Sequence, residues 1–163
     1  MNLEISVEGD FWQEKEAESV ASECARAVFA EVGFKEDNIE VCFLFTTDDE
    51  IRVLNKTYRG ADKPTNVLSF PADFLAESDN EEEDEGFPRI LGSIAVAFET
   101  VKRESEEQKK SFIDHLRHLV VHGMLHLLRY DHAKDEEAEL MEALEVKILE
   151  RLGVGNPYLQ EVL

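Results

Sequence analysis

The strongest constraint on this chain lies between Phe112 and His132. Phe112 to Leu128 is its most apolar helical stretch, which predicts a central helix. Three histidines, His122, His126 and His132, stand there at relative positions 0, +4 and +10. Helical residues four apart share a face, one turn above the other. His122 and His126 therefore point the same way, whereas a continued helix would carry His132 away from both. The chain must break after about Leu128 and fold back to bring the third imidazole in. Three imidazoles with one position left open suit a catalytic zinc, which lowers the pKa of its bound water to roughly 7.

The spacing is similar to that of metzincin proteases. In those enzymes, however, a glutamate follows the first histidine and acts as general base. Here that position holds Gly123, so the pattern predicts a metal cage without the protease chemistry. His115, His118, His122 and His126 follow one another at steps of 3, 4 and 4. His118, one turn before His122, reads as a residue that supports the ligands rather than binding metal. Asp131, beside the third ligand, reads as a second supporting group. His115 reads as exposed or as part of the helix start. The reversal after His126 is a turn that normally uses glycine in the left-handed region, and Arg129 stands there. A non-glycine residue in that region costs roughly 1–2 kcal/mol. Either the turn avoids that conformation at Arg129, or metal binding absorbs the cost.

A second segment, Leu54 through Pro71, concentrates Arg59, Lys63 and several hydrogen-bonding side chains just before a short strand. It is one of the few basic spots in a chain of 163 residues with 17 Lys and Arg against 37 Asp and Glu, a net charge of −20. That balance argues against non-specific nucleic-acid affinity, which depends on Lys and Arg neutralising phosphates. It leaves room for a narrow local groove in which Arg59 and Lys63 hold an anion beside the metal, Arg59 by a bidentate fork; the segment reads equally as a polar turn in which Arg59 makes a structural salt bridge. Much of the acid is localised in Glu77–Glu85, which reads as a solvated, mobile loop.

The remaining pattern predicts one domain over residues 1–163. Leu3–Val7, Ile39–Phe45, Val67–Phe70 and Leu91–Phe98 read as strands. Glu14–Val32, a short helix opened by a capping box at Thr47–Glu50 and running through Asn55, Glu99–Glu107, Phe112–Leu128 and Asp135–Leu152 read as helices. Arg59 falls in the loop that follows the second of these. This order predicts an α+β fold: one mixed sheet of about four strands packed with helices, with the zinc site on the helix central to the C-terminal half and its following turn. Cys24 and Cys42 lack CxxC spacing and read as reduced core residues. No apolar run reaches the roughly 18 residues that span a bilayer. The N-terminus lacks the basic and apolar regions of a signal peptide, so a cytoplasmic protein without membrane contact is expected.

Together the two segments resemble the YbeY family of bacterial metal-dependent endoribonucleases, which act in ribosomal RNA maturation and ribosome quality control. The family pattern HGxLHLxGYDH is matched by His122, Gly123, Leu125, His126, Leu127, Tyr130, Asp131 and His132. An upstream block, approximately LNxxYRGxDKPTDVLSFP, is matched from Leu54 through Pro71, and LGDI is approximated by Leu91-Gly92-Ser93-Ile94. The resemblance implies one zinc ion per chain on His122, His126 and His132, and a functional arginine at Arg59. It implies a single-strand-type endoribonuclease acting on RNA, ribosomal RNA within the ribosome, with ribosomal or assembly proteins as partners. Three residues depart from the pattern: Arg129 stands for Gly, Asn66 for Asp and Ser93 for Asp. The first bears on the ligand turn; the other two remove carboxylates that the resemblance implies would orient the site.

The chemistry expected is metal-assisted phosphodiester cleavage, with Arg59 stabilising charge on the phosphoryl group. His118, or a residue near Asp131, would move protons. Two other readings stand beside it: a zinc hydrolase of another substrate, and a ribosome-assembly factor whose zinc is structural or vestigial.

Overall fold

The computed structural model describes residues 1–72 and 89–159. The acidic stretch Glu77–Glu85 lies outside them. The elements run β1 (Asn2–Val7), α1 (Glu14–Val32), β2 (Ile39–Thr46), α2 (Asp48–Arg59), β3 (Val67–Pro71), β4 (Arg89–Ala97), α3 (Phe98–Glu107), α4 (Phe112–Leu127) and α5 (Asp135–Arg151). The strands form one mixed sheet in the order β1-β2-β4-β3. β1, β2 and β4 are parallel, and β3 is antiparallel to β4. The α+β fold expected from the sequence is the fold observed.

Strand alternation sorts side chains onto two faces. Val41, Phe43, Phe45, Ile94 and Val96 point into the main core, shared with Val20, Cys24 and Val28 of α1, Leu116, Val120 and Met124 of α4, and Met141 and Ile148 of α5. On the other face, Ile51 of α2 closes a smaller cluster with Leu68, Ala95 and Ala97. Helix α4 is buried on nearly every side, from Leu116 to Leu127, which is why its sequence is apolar all round.

Four expectations need correction. First, α2 runs on to Arg59 and stops at Gly60, which takes the left-handed conformation at φ 71°. Arg59 is therefore the last helical residue and does not sit in a loop; the polar face of the last turn masked its helical period. Second, the capping box is only half formed. Thr47 Oγ1 accepts from the Glu50 amide, but the carboxylate that joins it is Glu99 of α3, which accepts from the Asp48 amide. Asp48 returns the favour, its Oδ1 accepting from the amide and hydroxyl of Thr100. The two helix starts cap each other, and Phe98 opens α3 rather than ending β4. Third, Cys42 is not in the core. It lies half-buried on the outer sheet face, its Sγ 3.8 Å from Glu4 Oε2.

Fourth, His115 is buried, at 3% exposure. Helix α3 packs against α4 there, and His115 Nε2 donates to Glu104 Oε1 at 3.0 Å. Its Nδ1 has no partner among the described residues. Burial, outweighing the pull of Glu104, lowers its pKa from the ordinary 6.5. The unfolded chain thus takes up this proton first. The stabilisation is full above about pH 6.5 and is lost as pH falls through the folded pKa. The urea midpoint of chelator-treated protein should fall between about pH 7.5 and about pH 5.5, and His115→Gln should shrink that fall.

Candidate metal centre

The C-terminus of α4 explains the odd residue in the ligand turn. Arg129 takes φ 73°. Its amide bonds to the His126 carbonyl at 3.0 Å, and the Tyr130 amide to the Leu125 carbonyl at 3.0 Å. This double closure is the Schellman motif, with arginine where glycine is usual. The turn therefore does not avoid the left-handed region. The Arg129 guanidinium spans from this turn to the residue just after β3, where Nη2 donates to the Ala72 carbonyl at 3.0 Å, a contact glycine could not make.

The reversal returns His132 to the other two histidines. One ring nitrogen from each of His122, His126 and His132 lies within 4.8 Å of the others. Nε2 of His122 and Nε2 of His126 are 3.0 Å apart. Two imidazole lone pairs at that distance repel unless a proton or a cation lies between them, so the donor set fits a bound metal ion. Burial, then the rings of His122 and His132, lower the pKa of His126; Asp131 opposes, and Arg59 adds to the lowering. The imidazole is thereby kept in its neutral, ligating form.

The histidines line a cavity of about 650 Å³ that also takes in Arg59, Asn66, Ser69, Arg129, Asp131 and Tyr158. Arg59 reaches it from the end of α2, its Nη2 donating to the Ser69 carbonyl at 3.2 Å. Lys63 does not line it. That residue contributes its main chain, the carbonyl accepting from Asn55 Nδ2 at 2.9 Å. Asp131 bonds to the backbone rather than to a ring, Oδ1 accepting from the His132 amide at 2.7 Å. Gly123 faces the sheet: a Cβ there would meet Ser69 Oγ at 3.1 Å and Ile94 at 3.3 Å. A glutamate after His122 would therefore be driven into β3 and β4, away from any substrate.

Asn66 suits its neighbours better than aspartate would. Its Nδ2 donates to Glu104 Oε1 at 2.9 Å, and its Oδ1 accepts from the Val67 amide; a carboxylate would face Glu104 as a like charge. Ser93 lies elsewhere. It pairs with Cys42 and Phe70 on the face opposite Ile94 and lines a separate groove with Tyr58. Its substitution removes nothing from the histidine cavity.

Two residues at this site escaped the sequence reading. Glu145 of α5 is fully buried. It accepts from His122 Nδ1, from His118 Nε2 at 3.1 Å and from the Tyr158 hydroxyl. Burial raises its pKa, but those three hydrogen bonds outweigh it and hold the carboxyl at about 2. A signal was present: Glu145 falls at helical spacing between Met141 and Ile148 on the apolar face of α5, where an unpaired charge is disfavoured. His118 is thus linked to His122 through Glu145. His118→Ala should weaken zinc affinity about 10-fold, and by no more than about 100-fold, in chelator competition.

Residues 4–153 match the family model described as "Endoribonuclease YbeY". The chain is 47% identical over 156 residues to Endoribonuclease YbeY of Bradyrhizobium diazoefficiens, covering 95% of this chain and 84% of that one. It is 46% identical over 156 residues to Endoribonuclease YbeY of Rhodopseudomonas palustris, covering 95% of this chain and 80% of that one. Among solved structures, the solution structure of TM1509 from Thermotoga maritima is similar, with a TM-score of 0.61 and 31% identity over 92% of this chain and 88% of that one. A match this long, carrying the three histidines and Arg59 into one cavity, shows that the chain belongs to the YbeY endoribonuclease family.

Proposed function

We propose that this chain is a zinc-dependent endoribonuclease that cuts single-stranded RNA in the cytoplasm, with ribosomal RNA, presented on the ribosome or with assembly proteins, as its substrate. The observation that carries this reading is the meeting of the three histidines with Arg59 around one cavity. Zinc held by His122, His126 and His132 would supply Lewis acidity toward a phosphate oxygen and lower the pKa of a bound water.

The protein's own groups supply the rest. One Arg59 donor is committed to Ser69 among the described residues, and the others are free to fork onto phosphoryl oxygens as charge builds there. His118 is committed to Glu145, which favours Asp131, exposed on the cavity wall, as the group that takes up a proton. The peptide-hydrolase reading is weakened by Gly123. A structural zinc is normally closed by four protein ligands, and the group of three histidines opening on a cavity favours catalysis.

The deciding experiment offers zinc-loaded protein a single-stranded RNA, the same sequence as DNA, and a peptide, each with and without chelator. RNA cleavage alone, lost on chelation and restored by zinc, supports the proposal. No RNA cleavage by zinc-loaded protein overturns it in favour of an assembly factor.

Arg129 adds a second cation to the cavity. Arg129→Gly relieves roughly 1 kcal/mol of backbone strain and loses a hydrogen bond of about the same worth, so the thermal midpoint should hardly move. Affinity for uncleavable RNA should fall, with a salt slope shallower by about one.

A further inference from the structure

We propose that Glu145, backed by Tyr158, is the positioning carboxylate of this site: it holds the His122 imidazole in the Nδ1–H tautomer, so that Nε2 presents its lone pair toward His126 and His132. The inference rests on the zinc reading above and deepens it.

Glu145 Oε1 meets His122 Nδ1, while Oε2 meets His118 Nε2 and the Tyr158 hydroxyl. A carboxylate is acceptor only, so each ring nitrogen facing it carries a proton. For His122 this leaves Nε2 bare, and Nε2 is the atom 3.0 Å from His126 Nε2. The carboxylate sits with no exposed surface on a helix face otherwise given to Met141, Ile148 and Leu149. Burying it there is unfavourable without partners, and all three partners lead toward the cavity. Tyr158 comes from the turn after α5, with its ring edge-on to His118 at 5.6 Å and 43% of its surface exposed. Its hydroxyl satisfies the second oxygen, which fixes the rotation of the carboxylate and therefore of the ring beneath it.

The test is to read the tautomer directly. Nitrogen-15 spectra of chelator-treated protein should show His122 protonated at Nδ1. Glu145→Gln keeps the size but offers an amide N–H, which should move His122 toward the Nε2–H tautomer. Zinc affinity should then fall about 10–100-fold, and the absorption bands of the cobalt-substituted protein should change. Tyr158→Phe alters only a half-exposed turn, so it remains informative if Glu145→Gln fails to fold; it should weaken zinc binding severalfold. His122 found as Nε2–H in the parent overturns the inference, as does parent-level zinc affinity in both variants. If the parent binds no zinc, the function proposed above falls, and the tautomer measurement still decides this one.

Discussion

His126→Ala protein should emerge from purification with under about a tenth of the zinc carried by the parent, which should hold about one ion per chain. His126 sits in the last turn of the ligand helix, its Nε2 3.0 Å from that of His122 and its ring centre 5.2 Å from that of His132. The other α4 histidine that lines the cavity beside His122, His118, is committed to Glu145 and does not replace it. Affinity measured by chelator competition should fall more than about 10²-fold, further than for His118→Ala. The fold should survive, since His126 lies at the cavity and not in the apolar cluster. Parent-level zinc in a folded His126→Ala protein would remove the metal centre.

Arg59→Ala should keep its zinc and its fold yet slow single-turnover RNA cleavage by about 10²-fold or more. Arg59 is an exposed residue at the end of α2, outside both buried clusters, so its removal leaves the core untouched. What it takes away is the cation that reaches the cavity from the side of β3. Arg59→Lys should restore only part of the rate, because a point charge does not reproduce the fork. Cleavage at the parent rate by zinc-loaded Arg59→Ala protein would take Arg59 out of the mechanism.

Local periodicity carried most of the fold. Helix α1 was legible to the residue, because Ala17, Val20, Ala21, Cys24 and Val28 keep one face and Gly33 ends it. The sheet was legible as strands but not as an order: the neighbours of β4 depend on where α1 and α4 pack, which no local window contains. The same limit hid the burial of His115, which depends on α3 lying across it. It also hid the half-made capping box, completed by Glu99 from some 50 residues away. At the site, the three histidines were readable because helix geometry ties spacing to direction. Glu145 and Tyr158 were not singled out, because their link to His118 and His122 exists only once α5 folds back along α4.

Ser69 gives these separations a practical meaning. Its carbonyl holds Arg59, and its hydroxyl donates to the Gly123 carbonyl at 3.1 Å, between the first two histidines. The arginine and the imidazoles, carried by segments far apart in the chain, are thus bolted to opposite sides of a single residue. Anyone transplanting this centre into another scaffold would have to move α2, β3 and α4 as one block. The histidine helix and its following turn, grafted alone, would bring the three imidazoles with nothing to set their distance from the arginine.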